Sequence, residues 1–375
     1  MHRFAYLAGF ALTSSAGVVF VLLADLKARY GLPDWGIGVI ASAGFVSGLA
    51  VQLLIAPLAD RGGAVLLGAL ALGAGVVGTL WFIFAASLAP LVAARVLLGC
   101  GLGLFDVVAR KALVGLTTEG SGARLGTYLS ASVGGFLLGP LLGAALQQFG
   151  FHAPFVAVLV LTIVAAGPAL LWLHGAPIAT VSTDQPASML QLARRPGIRA
   201  AMLGQSVIFA NIGIFDAVID LYLEDLGAGN TTIGIVLLLV GAPLLVLPTM
   251  AGNWVEHIGP RRVLVPLLCA AGPAIAGFGM FPVLATIAVA GLVQGSIESF
   301  VFPTTQLLAL DETGPQQAAA GQAVLGMTGL TAAGTTALLA PSVYASIGAR
   351  PMFAAMGSLS VVAAVLAARQ VRLMD

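Results

Sequence analysis

Long apolar stretches separated by short polar loops run through the sequence, and twelve of them are long enough to cross a lipid bilayer. A bilayer core about 30 Å thick needs roughly 20 apolar residues per helix. The segments lie near 5–25, 36–58, 64–86, 88–109, 124–148, 153–173, 200–222, 232–253, 262–281, 283–306, 318–344 and 350–368. No small-x-small cleavage site follows the first segment, so we interpret it as a retained helix. The pattern predicts an all-α membrane protein with twelve transmembrane helices.

The basic residues are distributed unevenly between the two sides of the predicted membrane. With the N-terminus in the cytoplasm, twelve of the 16 Lys and Arg residues lie in inside loops and tails. Lys27, Arg29 and Arg350 then lie outside, and Arg95 lies within a span. Because cytoplasmic loops carry the excess of Lys and Arg, we predict that both termini are cytoplasmic. We expect a multi-pass protein of a cell membrane, typical of a bacterial inner membrane.

The composition argues against several classes of protein. With 59% hydrophobic and 8% charged residues, the chain has too little polar surface for a soluble body. A net charge of +1 without clustered Lys and Arg argues against a nucleic-acid partner. The 4 His residues lack metal-ligand spacing and no Ser or Cys has an apparent base, so we predict no metal, no cofactor and no catalytic residue. An intramembrane enzyme is therefore the least favoured interpretation.

The two halves of the chain resemble each other. The longest polar stretch, 174–199, predicts a cytoplasmic linker between six-helix bundles over 1–173 and 200–375. An offset of 196 residues aligns Gly31 with Gly227, Ile37 and Gly38 with Ile233 and Gly234, Asp60 with Glu256, Gly63 with Gly259, and Gly99 with Gly295. One constant offset through three helices indicates an internal duplication.

Several motifs make the resemblance to a family specific. The loop from Ala56 to Gly63 reads A-P-L-A-D-R-G-G and resembles the G-x-x-x-D-R-x-G-R-K signature of the major facilitator superfamily. Its second-half counterpart keeps the spacing G-x-x-x-E-x-x-G-x-R-R with Gly252, Glu256, Gly259, Arg261 and Arg262. The segment from Arg95 to Gly101 is similar to the family's R-x-x-x-G-x-G element. Gly135, Gly139, Pro140 and Gly143 resemble the G-x-x-x-G-P-x-x-G element of its twelve-helix drug/proton antiporters.

This resemblance implies a fold and a set of roles. The family fold has two six-helix bundles related by a pseudo-two-fold axis, with the substrate site between them and transport by alternating access. The resemblance assigns conformational gating to the cytoplasmic loops; the candidates are Asp60, Arg61, Gly63, Asp106, Glu256, Gly259, Arg261 and Arg262. An ordinary polar turn is the alternative for Asp60 and Arg61. Asp106 can pair with either Arg110 or Arg61.

The three glycines of the fifth segment recur at every fourth position. Gly135, Gly139 and Gly143 therefore line one side of a helix and allow a neighbouring backbone to approach closely. Pro140 removes a backbone hydrogen bond, so we expect it to bend the helix. Helix packing is the expected role of all four residues.

Ionisable residues inside the spans are the sharpest candidates for a transport site. Each costs about 2.5–3.5 kcal/mol at a helix centre and usually faces a cavity or a partner. Asp216, Glu298 and Arg95 are the predicted proton-coupling or substrate-cavity residues, with Gln294 and Asn211 as polar contacts. Gln294 lies one turn from Glu298 on the same helix face. For Asp25, Asp220, Glu224 and Asp225 we expect hydration at the outer interface.

These features predict a secondary active transporter that uses protons to export small amphiphilic molecules or drugs. The alternative is a major facilitator importer of a metabolite such as a sugar or an organic anion, which Arg95 would suit. A passive channel fits the duplicated halves and gating loops less well. The predicted partners are a small-molecule substrate, protons and the lipid bilayer, and the expected state is a monomer.

Overall fold

The protein is described by a computed structural model that covers residues 2–54, 63–115, 121–175 and 189–374. Every regular element in those ranges is helical. The chain divides into two compact units, the first comprising Met1–Ser182 and Gly229–Leu238, and the second Thr183–Ala228 and Leu239–Asp375. The prediction of an all-α membrane protein with two helical halves is confirmed at the level of the fold class.

Unit 1 contains the first seven helices: α1 Arg3–Val21, α2 Leu23–Tyr30, α3 Asp34–Leu54, α4 Ala64–Phe84, α5 Leu88–Gly115, α6 Ser121–Gln147 and α7 Ala153–Gly175. Helix α1 packs against α6 and α7, and α5 packs against α3 and α4. Small and branched apolar residues such as Ala8, Leu72 and Val108 fill the core between these helices. The predicted first segment is interrupted at Leu22, whose backbone leaves helical geometry between α1 and α2.

Unit 2 begins with the short helix α8, Met189–Leu192, inside the predicted linker, and continues with α9 Pro196–Ile214, a π-helical turn Phe215–Ile219 and α10 Asp220–Asp225. Helix α11, Asn230–Val246, begins in unit 1 and ends in unit 2, and the remaining helices of unit 2 are α12 Pro248–Ile258, α13 Pro260–Met280, α14 Leu284–Ile347 and α15 Ala349–Arg372. Helix α14 breaks at Gly314, where φ is +67°, and thus forms two apolar spans, α14a Leu284–Gly314 and α14b Ala320–Ile347. Helix α9 packs against both α14 and α15.

The described residues contain 11 helices that are long and apolar enough to cross a membrane. A twelfth span is obtained if α11 and α12, which are bent by 52° at Leu247, count as one. The sequence predicted this span as one helix over 232–253, and that prediction is wrong in detail because Pro248 begins a new helix. A proline is tolerated at the first helical position but interrupts the hydrogen bonds of a helix interior.

The duplication inferred from the sequence has a counterpart in the packing of each unit. In unit 1 a Cβ atom added to Gly99 would collide with the carbonyl oxygen of Gly44. In unit 2 a Cβ atom added to Gly295 would collide with the carbonyl oxygen of Val240. Gly295 and Val240 lie 196 residues after Gly99 and Gly44, respectively. The two units therefore repeat the same close approach between corresponding helices.

The glycines of α6 lie against α1 along its length. A Cβ atom at Gly139 would stand 2.7 Å from the carbonyl oxygen of Ser14 and 2.8 Å from Cα of Gly17. One at Gly135 would collide with the carbonyl oxygen of Phe10, and one at Gly143 would meet a side chain of the same helix. Helix α6 continues through Pro140 to Gln147. The four predicted packing residues thus lie in or beside a backbone contact where side chains larger than hydrogen do not fit.

Candidate functional site

A buried carboxyl group with two amide donors forms the centre of the polar site in unit 2. Glu298 of α14a is 6% exposed. Its Oε1 accepts a hydrogen bond from Nδ2 of Asn211 at 2.8 Å and another from Nε2 of Gln294 at 3.1 Å. Asn211 belongs to α9, so the first bond joins two helices, whereas Gln294 lies one turn earlier on the same helix as Glu298.

The donor amides of this cluster retain unused acceptor capacity. Oδ1 of Asn211 and Oε1 of Gln294 are buried and have no hydrogen-bond partner among the described residues. Burying a polar atom without a partner costs about 1–3 kcal/mol, so buried polar atoms are usually satisfied. The cluster therefore offers two acceptor oxygens and one carboxyl group at a single place, a set that suits a hydrogen-bond donor or a cation.

A second polar contact lies farther along the same two helices. Thr305 Oγ1 donates a hydrogen bond of 3.0 Å to Oε1 of Gln205, and both side chains are buried. Thr305 is not among the site residues predicted from the sequence. Two adjacent threonines in an apolar span, Thr304 and Thr305, are a weak local signal, and the partner of Thr305 lies 100 residues away.

Asp216 lies in the π-helical turn that follows α9 and is 1% exposed. Turns of this kind are rare and frequently occur at functional sites. Asp220 begins the next helix and is 4% exposed, so the expectation that it is hydrated at an outer interface is wrong.

Glu224 and Asp225 are exposed as expected, and the Asp225 carboxylate accepts a hydrogen bond from Tyr344 at 2.5 Å. Asp25 is only half-buried and accepts a hydrogen bond of 2.6 Å from Gln147.

The internal repeat shows whether the polar residues of α14a are needed for helix packing. At an offset of 196 residues, the positions of Gln294 and Glu298 correspond to Leu98 and Leu102 in unit 1. Leu98 is fully buried, and Leu102 packs against the core of its unit. The same helix therefore packs well with leucine at both positions. The amide and the carboxyl group of α14a are not required by the architecture that the two units share.

Arg95 is a buried charged residue of unit 1, with 4% exposure on α5. Its guanidinium group packs on Gly44 of α3, where an added Cβ atom would stand 2.7 Å from Nε. At the corresponding positions of unit 2 the large and small residues are exchanged: Gly291 replaces Arg95, and Val240 replaces Gly44. The side chain of Val240 lies against Gly291. Gly44 thus provides the space that Arg95 occupies, and this exchange of large and small residues is specific to each unit.

The gating candidates of the first half are only partly described. Asp60 and Arg61 lie outside the described residues, whereas Gly63 directly precedes α4. Asp106 is paired with Arg110, whose Nε lies 2.9 Å from Oδ1 of the carboxylate. Asp106 was expected to pair with Arg110 or Arg61, and the described residues show the pair with Arg110.

The gating candidates of the second half surround the junction between α12 and α13. Gly259 connects the two helices with φ at +95°, a value that residues with a side chain rarely adopt. Glu256 is exposed one turn before it. Arg261 and Arg262 lie in the first turn of α13, where the second is exposed and the first is half-buried. Within the described ranges, no group of three or more His, Cys, Asp or Glu residues could hold a metal ion.

Comparison with known proteins gives matches that cover the whole chain. The family model described as Major Facilitator Superfamily matches residues 5–204 and again residues 201–372. The two matches begin 196 residues apart, which is the offset of the internal repeat. The tetracycline resistance protein, class G, of Vibrio anguillarum is 27% identical over 216 residues, which are 53% of this chain and 55% of that protein. The chain thus spans about half the length of this relative.

Solved structures resemble the whole fold. The crystal structure of a bacterial homologue of the human lysosomal transporter Spinster, in an inward-facing and occupied conformation, has a TM-score of 0.81 at 16% identity. The alignment covers 99% of this chain and 96% of that one. A human organic anion transporter has a TM-score of 0.71 at 18% identity, with 98% of each chain covered. At such identities the likeness shows a common fold alone.

Proposed function

The chain belongs to the Major Facilitator Superfamily and is a multi-pass membrane transporter, and from this premise we propose that it couples proton entry to the export of small amphiphilic molecules. The observation that carries the proposal is the contact of Glu298 with Asn211 and Gln294 inside unit 2. The weak similarity to a tetracycline resistance protein favours export and a drug-like substrate. We further propose that the protein works as a monomer by alternating access, with both termini in the cytoplasm.

The chemistry of the cluster suits competition between a proton and a cationic substrate. Burial in a medium of low dielectric disfavours a charged carboxylate, which regains stability by binding either a proton or a cation. The amide donors of Asn211 and Gln294 hold the Glu298 carboxyl group at a fixed position in either case. The same residue can therefore exchange one positive charge for the other as access changes sides, and Asp216 is the proposed second carboxyl group of this path.

A growth assay in cells that lack their own efflux systems identifies the substrate. A panel of toxic cations, neutral drugs and tetracycline is tested for resistance conferred by the wild-type chain. We expect protection against amphiphilic cations or tetracycline. Protection against none of these compounds, together with saturable uptake of a metabolite, contradicts the proposed direction.

The coupling is then measured with purified protein in liposomes that carry a pH gradient. Glu298→Gln keeps the size of the side chain and removes its charge, so we expect loss of uphill transport while downhill exchange partly survives. Glu224→Gln is the matched control, because this acid is exposed and lies outside the cluster. Uphill transport by Glu298→Gln at the wild-type level contradicts the assignment of the coupling group.

An importer of an organic anion is the second candidate, and the buried Arg95 favours it. A guanidinium group enclosed in a span can bind a carboxylate through paired hydrogen bonds. In that case saturable uptake of a labelled organic anion is expected from the wild-type chain and is lost in Arg95→Gln. Arg29→Gln serves as control, since Arg29 is exposed and stacks on the Phe151 ring at 4.5 Å. Absence of anion uptake by the wild-type chain eliminates this candidate.

A further inference from the structure

A cavity lined by basic and aromatic side chains lies in unit 1 at the beginning of α1. Its volume is about 700 Å³, and His2, Arg3 and Arg124 contribute its basic groups. Tyr6 and Phe10 form the aromatic part of the lining, and Leu7 extends the apolar surface. The described residues that line this cavity include three basic side chains and no acidic one, so its electrostatic potential favours an anion.

The basic groups of this cavity are held by the surrounding helices. Nε of Arg124 donates a hydrogen bond of 3.0 Å to the carbonyl oxygen of Leu113 at the end of α5, which fixes the guanidinium group at the base of α6. The His2 ring packs edge-on against Tyr6, with the ring centroids 5.6 Å apart. Arg3 begins the first transmembrane helix and is exposed. The arrangement places guanidinium groups at the end of a span, where lipid head groups lie.

The internal repeat reproduces only the position of this cavity in unit 2. Arg199 corresponds to Arg3 at the offset of 196 residues and lies near the beginning of α9. The next residues on the same face of α9, Met202, Leu203 and Ser206, line a cavity of about 740 Å³. They correspond to the lining positions Tyr6, Leu7 and Phe10 of unit 1. The repeat thus keeps the place of the cavity, whereas the described lining of the unit 2 cavity contains no basic side chain, so the anion-binding groups are specific to unit 1.

We propose that the cavity at the beginning of α1 binds an anionic phospholipid, with the phosphate on Arg3 and Arg124 and an acyl chain along Leu7 and Phe10. Basic pockets between transmembrane helices are known to bind the head groups of anionic lipids. A soluble anion would use the guanidinium groups alone, whereas Leu7, Phe10 and Ala131 add an apolar part of the lining that suits an acyl chain. The site is separate from the cluster around Glu298 and does not depend on the direction of transport.

The test measures lipid binding to the purified full chain in detergent by native mass spectrometry. Phosphatidylglycerol and phosphatidylcholine with identical acyl chains are the two probes, and glycerol phosphate is added as a competitor that lacks the chains. Each basic residue near a membrane surface contributes a factor of about five to the binding of an anionic lipid. We therefore expect Arg3→Gln to weaken binding of phosphatidylglycerol about five-fold, and Arg3→Gln with Arg124→Gln about 25-fold.

Arg29→Gln is the matched control, because it removes the same charge from the opposite end of the first transmembrane segment. It should retain wild-type binding of phosphatidylglycerol. Three results overturn the proposal: equal binding of the two phospholipids, equal losses in Arg3→Gln and Arg29→Gln, or displacement of the lipid by glycerol phosphate at the same concentration. Arg3→Gln changes an exposed side chain, so a folding defect of the double variant leaves the test intact.

Discussion

The internal repeat permits a direct test of whether the Glu298 cluster serves transport or stability. We replace the three members of the cluster by the residues at the corresponding positions of unit 1, in the triple variant Asn211→Ser, Gln294→Leu and Glu298→Leu. The unit 1 residues at these positions are Ser15, Leu98 and Leu102. We expect this variant to insert and fold but to transport nothing.

The magnitude follows from the two hydrogen bonds to Glu298. Each joins an amide donor to a carboxyl group, at 2.8 Å and 3.1 Å, and such bonds contribute about 1.5–3 kcal/mol each when one partner is removed. The single variants Asn211→Ser and Gln294→Leu should therefore lower the free energy of unfolding by about 1.5–3 kcal/mol each, because each leaves a buried carboxyl group with one donor fewer.

The triple variant removes the carboxyl group together with its amide donors, and the serine hydroxyl that it introduces can donate to the backbone carbonyl one turn earlier, as Ser15 does to Ala11 at 3.2 Å. Replacing a complete buried polar set by well-packed apolar residues is often neutral or stabilising by about 1–4 kcal/mol. We therefore expect the triple variant to be at least as stable as the wild type, although the two single variants are destabilised. A change in stability that differs from the sum of the single effects indicates that these residues interact with one another.

Unfolding in detergent followed by circular dichroism gives the stabilities, and liposome transport driven by a pH gradient gives the activity. Destabilisation of the triple variant by the sum of the single effects would refute the reasoning and make the cluster structural. Transport by the triple variant at the wild-type rate would refute its role as the site. Measuring both stability and transport in the same variant distinguishes a structural role of the cluster from the absence of a transport role.

Three further predictions concern the rest of the molecule. Cysteines introduced at Ser182 and Gly229 should react with an impermeant reagent from opposite sides of the membrane, and labelling of both from one side contradicts the proposed topology. Gly139→Leu should unfold far more readily than Gly73→Leu, because the first meets the α1 backbone and the second meets nothing within 4 Å; equal stabilities would remove the packing role of the α6 glycines. Asp60→Asn should reduce turnover in a well-folded protein, and wild-type turnover would return this residue to the role of a polar turn.

The sequence predicts the spans well because a lipid environment leaves one dominant requirement. Each segment must be about 20 apolar residues long and must satisfy its own backbone hydrogen bonds, which favours continuous helices. Local spacing also predicted that Gln294 and Glu298 share a helix face, and they are joined by a hydrogen bond of 3.1 Å. These relations lie within one helix, where geometry follows from sequence distance alone.

Contacts between helices could not be predicted from one sequence. Asn211 and Glu298 were both candidates, yet their pairing spans 87 residues and depends on how α9 lies on α14. The bond between Thr305 and Gln205 spans 100 residues and was missed for the same reason. Apolar helices in lipid have many comparable ways to pack, so the partner of a buried polar group is decided by the tertiary structure.

The interruption of the first helix occurs at the same repeat position in both halves. In unit 1 the helix breaks at Leu22, and the position 196 residues later, Val218, lies in the π-helical turn of unit 2. The position of the interruption is therefore common to both units, but its form differs, with one non-helical residue in unit 1 and a π-helical turn in unit 2. Its chemistry is not shared, because Asp216 and Asp220 correspond to Phe20 and Ala24.

A π-helical turn holds one residue more per turn than an α-helix, so it rotates every following side chain relative to an uninterrupted helix. The prediction placed Asp220 at the outer interface by its position near the end of the span, whereas its 4% exposure is decided by the packing around it. Unit 2 thus combines a π-helical turn at this position with buried carboxyl groups at Asp216, Asp220 and Glu298, three positions at which unit 1 has apolar residues. Acids inside a span are costly, so their presence where unit 1 has Phe20, Ala24 and Leu102 favours the proposed role in ion or substrate binding over a role in the shared fold.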